Sequence, residues 1–297
     1  MDFRTDLALE KRENLEAGQI DGVISEKEER KGVTVTTITV TNQNGAKALG
    51  KPTGKYVTLE VTPFTKNADL SDGRIEVFAQ ELLKLLPPEG TVLVAGLGNE
   101  SITPDALGPK CLSLLLSTRH IKKELAKSLG LVPLRPVAGI VPGVLGKTGI
   151  ETAEIIEAVA KKIEPCALIV IDALASRRLS RLGTTVQLTD TGISPGSGVG
   201  NTRTEISAKT LGIPVVAVGV PTVVDGTTLA FDLLESAGAN AQSAIKRLSD
   251  SGNERFMMVT PKEIDLVIDR AARFIAMGIN SAMQREMALE DIVAIVS

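Results

Sequence analysis

The sequence predicts an α/β fold: a mostly parallel central sheet with helices on both faces, plus an N-terminal β-rich segment. Three observations carry this expectation. Residues 91–96, 167–173 and 213–220 are continuous apolar runs rich in β-branched residues, the composition of strands covered on both faces. Amphipathic stretches of helical period lie between them, and strand–helix alternation of this kind builds parallel sheets. Residues 33–40 (VTVTTITV) and 56–62 (YVTLEVT) are strongly β in composition and close in sequence, which suits an antiparallel pair.

Each element has a local reason. Residues 1–30 are dense in charge and read as a mobile or loosely docked arm with some helix. Residues 31–66 form the β-rich segment, with turn chemistry from Asn42 to Gly45. Residues 67–297 make the α/β domain. Ser71 is placed to cap a helix that Pro87 and Pro88 stop. After the strand at 91–96, Gly96 and Gly98 allow a tight turn. Thr103 then caps a helix over 104–117, with Pro104 in its first position. Residues 120–130 read as helical, 132–146 as extended and 151–163 as an amphipathic helix. A short strand and a glycine- and serine-rich loop occupy 183–203. Helices follow over 228–237, over 261–277 behind a Thr260 cap, and over 289–296.

Composition removes several function classes. The chain has 297 residues, 43% hydrophobic and 23% charged, with a net charge of −3, so it lacks the basic footprint of a nucleic-acid binder. Aromatic residues are 2%, with no Trp and one Tyr, Tyr56, which leaves no platform for stacking bases. Cys111 and Cys166 lack metal-ligand spacing and read as buried thiols in a reducing compartment. The charged N-terminus has no signal-peptide core and no apolar run is of bilayer length, so a cytoplasmic protein without a membrane partner is expected. The one histidine, His120, reads as a helix-end cation or a solvated side chain. A catalytic triad or a histidine-based zinc site is hard to build around it.

Two carboxylates stand in equivalent places. Asp105 follows one central strand, in a first helical turn where free amides favour its charge. Asp172 ends another strand after five apolar residues, so desolvation should raise its pKa. Carboxylates in unequal environments can act as base and acid on one water. Capping and loop hydrogen bonding are the plainer alternatives. The GLGNES stretch (96–101) lacks the third glycine of a dinucleotide fingerprint. The loop carrying Ser194, Gly196, Ser197 and Gly198 could cradle an anion or an oxyanion with its amides. Arg177, Arg178 and Arg181, just after Asp172, read either as a solvated basic turn or as a pocket for substrate carboxylates. Asn99, Asp190 and Glu205 are further candidates.

Taken together, AGLGNESITPDALGP, IVIDALASRRLSRL, TDTGISPGSGVGNTR and AVGVPTVVDGTT resemble the germination protease family of spore-forming bacteria, and the likeness extends from RTDLALE (4–10) toward the C-terminus. The resemblance implies a cytoplasmic endopeptidase of the spore core that starts the degradation of small acid-soluble spore proteins. It implies a homotetramer, made inactive and activated by removal of a short propeptide, about residues 1–6. It assigns an atypical aspartic mechanism to Asp105 and Asp172, without a cofactor, although a metal is not excluded. The family cuts after an acidic residue and before an apolar one followed by Ala. Asp6, Leu7 and Ala8 repeat that order, which implies self-cleavage of the Asp6–Leu7 bond. An acidic residue before the cut needs a receptor, for which Arg177, Arg178, Arg181 and Arg203 are the candidates. Two alternatives stay open: a metal-dependent protease like those of hydrogenase maturation, and a non-catalytic α/β ligand-binding protein.

Overall fold

The computed structural model describes residues 5–13, 15, 20–66, 73–121, 133–196, 203–238 and 257–296. Among them the strands are β1 (Val23–Arg30), β2 (Val33–Val40), β3 (Gly54–Glu60), β4 (Val92–Gly96), β5 (Val137–Ile140), β6 (Ala167–Ser176), β7 (Thr185–Thr189), β8 (Val215–Asp225) and β9 (Met258–Val259). They join in one nine-stranded sheet of order β1-β2-β3-β7-β8-β6-β4-β5, with β9 added beside β8.

The sheet is mixed, which corrects the mostly parallel expectation. Strands β8, β6, β4 and β5 run parallel, whereas β1–β2, β2–β3, β3–β7, β7–β8 and β8–β9 are antiparallel. An apolar run reports burial on both faces and not direction. β7 is buried along its whole length, yet it lies antiparallel between β3 and β8. The β-rich segment is therefore continuous with the central sheet through the β3–β7 pairing.

The helices among the described residues are α1 (Ala8–Glu13), α2 (Gln43–Leu49), α3 (Arg74–Lys84), α4 (Leu107–Ser113), α5 (Leu145–Thr148), α6 (Thr152–Ile163), α7 (Ala208–Leu211), α8 (Gly226–Ser236), α9 (Ile264–Met283) and α10 (Leu289–Val296). Side chains alternate across the sheet, as the period of a strand requires. Val92 and Val94 of β4 and Ile169 and Ile171 of β6 face the larger core, built with α3, α4 and α9. There Phe274 packs against Phe78 and Phe64, at ring separations of 5.6 and 5.7 Å. Leu93, Ala95, Leu168 and Val170 face the other way, onto Ile156 and Ala160 of α6. Helices thus cover both faces of the parallel strands. Asp172 has the parity of Leu168 and Val170, so it belongs to the α6 side.

Several boundaries differ from expectation. The helix before β4 starts after Gly73, whose φ is 85°, and Ser71 lies outside the described residues. The helix expected over 104–117 is a 3-10 turn, Thr103–Asp105, followed by α4. α9 begins at Ile264 rather than behind Thr260, whose hydroxyl donates instead to the Thr222 carbonyl (2.9 Å), and it runs on to Met283. Most of the helix expected over 120–130 falls outside the described residues.

The first thirty residues hold the largest difference. β1 is an edge strand zipped along β2, and its mostly exposed SEKEE face is what charge does at a sheet edge, where it discourages pairing with another chain. Ahead of it, Leu7 and Ala8 are completely buried, and α1 packs with α2 over Ile38, Val40 and Tyr56. Glu10 is 1% exposed. Its carboxylate accepts from the amides of Arg177 (2.7 Å) and Arg178 (2.9 Å) and from the Thr5 hydroxyl. Residues 5–13 are therefore docked, not loose. Glu10→Ala leaves those buried amides unpaired and should cost about 3 kcal/mol. Denaturant unfolding, with amide exchange read across 5–13, measures both the loss and its location.

Candidate active site

The site forms where β4 stops. The β4–β6 register ends at Gly96 opposite Ile171, while β6 continues beside β8 to Ser176. From β4 the chain passes through α4 to β5 on one side. From β5 it returns through α6 to β6 on the other. The gap between β4 and β6 is thus a topological switch point, and crevices beyond the carboxyl ends of such strands are where open sheets bind ligands.

The turn after β4 carries Asp105 into this crevice. Gly98 has φ of 106°, a conformation strained for any residue with a Cβ, and a Cβ there would collide with the Asp105 carbonyl oxygen. The Asn99 amide donates to Asp105 Oδ2 at 2.8 Å. Beneath it, the buried Thr222 hydroxyl of β8 donates to the Pro104 carbonyl at 2.9 Å and pins the 3-10 turn. The charge of Asp105 is therefore supported by one amide of the glycine turn, not by a capped α-helix, and Thr103 makes no cap. Burial pushes the Asp105 carboxyl above the usual aspartate range, and the Asn99 amide pulls against that shift.

Asp172 enters from β6 and is 7% exposed. The strand does not end with it, as the sequence suggested, because β8 still pairs beyond that point. Burial pushes its pKa well above the ordinary value; the charges of Asp105 and then Asp6 add to the rise. The Ala173 amide, 2.9 Å from Asp172 Oδ1, opposes it. Asp105 and Asp172 share one cavity of about 410 Å³.

Other candidates separate on inspection. Asp6, Ser194, Gly196 and Arg203 line the same cavity, and Ser197 and Gly198 lie outside the described residues. Arg203 is half-buried, 3.6 Å from Glu151. Arg177, Arg178 and Arg181 do not line it, a correction to the carboxylate-pocket reading. At ~3.3 Å per strand residue, β6 carries Arg177 about 17 Å beyond Asp172. Its guanidinium binds Asp232 (3.0 Å) and Glu235 (3.3 Å) over the Phe231 ring. Arg181 pairs with Glu60 and with Glu13 (2.8 Å), and Arg178 lies 3.5 Å from Glu13. The Arg178 and Arg181 side chains thus anchor the N-terminal segment, and that of Arg177 anchors α8. Asp190 accepts the Lys55 amide (2.7 Å) at the start of β3. Glu205 borders a neighbouring cavity. His120 is exposed in a turn. Cys111 is buried, with its thiol pKa pushed up by desolvation.

Residues 5–8 are bonded in place beside the cavity, which Asp6 lines. The Asp6 amide donates to the Ala175 carbonyl (2.9 Å), and Asp6 Oδ2 accepts from the Ala175 amide (2.8 Å). The Asp6 carbonyl accepts from Lys51 Nζ (2.9 Å) and Gln187 Nε2 (3.1 Å), while Gln187 Oε1 accepts the Ala8 amide (2.8 Å). Sequence reasoning missed Lys51, Gln187 and Thr222. No local pattern marks them: Thr222 of β8 lines the aspartate cavity, whereas Lys51, just before β3, and Gln187 of β7 line the neighbouring one and reach it only through Asp6, which borders both. Among the described residues no group of three or more His, Cys, Asp or Glu side chains is arranged to hold a metal, and no helix is long and apolar enough to cross a membrane.

The profile of the germination protease family matches residues 4–237. Germination proteases of Clostridium perfringens and Clostridium tetani are each 44% identical to the chain, over 97% of both chains for the first and 98% for the second. That of Priestia megaterium is 38% identical over 97% of this chain and 95% of its own. Among solved structures, a NiFe hydrogenase maturation protease, HycI, from Thermococcus kodakarensis superposes with a TM-score of 0.39. Its identity is 16%, over 68% of this chain and 98% of that one.

Proposed function

We propose, from the premise that the chain belongs to the germination protease family and is a peptidase, that Asp105 and Asp172 are its acid–base pair and that its own Asp6–Leu7 bond is a substrate. The family makes it a spore-germination endopeptidase. The observation that carries the finer reading is the convergence of Asp6, Asp105 and Asp172 on one cavity.

Burial and two neighbouring carboxylates favour the protonated form of Asp172, which suits it to act as the acid for the leaving amine. Asp105, supported by the Asn99 amide, takes a proton from the attacking water. The two titrate as a coupled pair. Residues 5–8 supply a picture of the substrate. The acidic side chain accepts from the Ala175 amide. Leu7 and Ala8, both buried, suit an apolar residue and then a small one after the cut. Small acid-soluble spore proteins are the proposed external substrates, met in the cytoplasm of the spore core.

Incubation of the full chain, followed by N-terminal sequencing, tests the reading. The expected product begins at Leu7, and the rate is indifferent to a chelator. A product with any other start overturns the self-cleavage, and loss of activity with chelator favours the metal-dependent alternative.

A further inference from the structure

The mechanism so far leaves the negative charge on the reacting carbonyl oxygen unanswered. Two donors from separate elements converge on that oxygen in the Asp6–Leu7 bond. Lys51 follows the left-handed Gly50 cap of α2 and brings a cation to 2.9 Å. Gln187, on β7 and 6% exposed, brings an amide N–H to 3.1 Å. Gln187 is itself oriented by its second bond, from the Ala8 amide. A single carbonyl held by two fixed donors from the neighbouring cavity, one of them a lysine whose pKa burial lowers and the Asp6 charge raises, has the arrangement of an oxyanion hole.

We propose that Lys51, with Gln187, is a further catalytic residue that holds the oxyanion formed at the acidic residue before the cut. This rests on the reading of Asp6–Leu7 as a substrate bond. Water oxygen adds to the Asp6 carbonyl carbon as Asp105 takes one water proton. The π pair moves to the carbonyl oxygen, where Lys51 and Gln187 meet the charge. On collapse the C–N bond breaks, its electron pair stays on the Leu7 nitrogen, and that nitrogen takes the proton of Asp172. The products are the Asp6 carboxylic acid and the Leu7 amine. Proton exchange with solvent then restores the two aspartates. Lys51 also lies far in sequence from both of them, so no motif that carries Asp105 or Asp172 includes it.

The test follows full-length wild type, Lys51→Met and Lys51→Arg by mass spectrometry for release of residues 1–6. It then follows each chain starting at Leu7 on a synthetic peptide containing TDLALE. Lys51→Met is expected to lower the self-cleavage rate and the peptide kcat about 10²–10³-fold with little change in KM, the usual loss for one oxyanion donor. Lys51→Arg, which keeps the cation, should retain an intermediate rate. Wild-type rates in Lys51→Met overturn the proposal. So does slow self-cleavage beside a normal peptide kcat, since Lys51 would then only hold the N-terminal segment. If Lys51→Met unfolds, a folded Lys51→Arg that loses the full ~10²–10³-fold in kcat overturns it as well. A wild type that cuts neither bond removes the substrate reading itself, which separates that failure from a failure of Lys51 alone.

Discussion

Asp172→Asn is expected to lower kcat by about 10²–10⁴-fold, the range for loss of a general acid, and to leave a better-folded protein at neutral pH. Asparagine keeps the shape of a protonated carboxyl but has no proton to give. The stability change follows from the direction of the pKa shift. Aspartate in the unfolded chain ionises near its ordinary value of 3.8, whereas burial, Asp105 and Asp6 raise the native value well above this. The native state thus holds a proton that the unfolded chain has released. The contribution of Asp172 to stability is greatest below 3.8, falls as pH rises through the window up to the raised value, and levels off above it. The Asp172→Asn variant has no such dependence, because its amide does not titrate. The Tm gain over wild type should be absent at the acid end and largest at neutral pH. Asp105→Asn should lose activity by a similar factor, and the double variant by little more than either alone, because the two act as a unit. Scanning calorimetry across pH with single-turnover kinetics checks all three. A Tm gain independent of pH would contradict the account of Asp172.

Gly98→Ala is expected to lose at least about 10²-fold in kcat, because a shift of roughly 1 Å in a catalytic group costs that much. It should also destabilise by about 1–3 kcal/mol for forcing a side chain into this backbone conformation. The added Cβ meets the Asp105 carbonyl, so the carboxylate cannot keep its bond to the Asn99 amide. Gly212→Ala is the control: its φ of 72° is also positive, but nothing lies within 4 Å of the Cβ. It should cost stability and spare kcat. Wild-type turnover in Gly98→Ala would show that the glycine turn does not set the position of Asp105.

The readable parts of the fold were those whose burial is continuous. The apolar runs of β4, β6 and β8 and the amphipathic period of α6 carry their own evidence. β1 does not, because VISEKEER is an edge strand with an exposed charged face, and composition of that kind also describes a solvated arm. β7 shows burial but not direction. The arginines after Asp172 show the same limit from another side. Closeness in sequence suggested closeness in space, but an extended strand carries successive residues apart. Carboxylates from α1, β3 and α8 hold those guanidinium groups.

The sequence by itself determined the α/β class and the family, and it singled out the two aspartates as candidates and the acidic–apolar–Ala order at residues 6–8. Each is written in a contiguous run, where propensity, periodicity and motif act over a few residues. Tertiary structure alone decided the mixed direction of the sheet, the docking of residues 5–13, and the meeting of Asp6, Lys51 and Gln187. Those depend on which strands pair across long stretches of chain. Strand pairing is selected by the burial and hydrogen bonding of the whole sheet, not by any segment read alone.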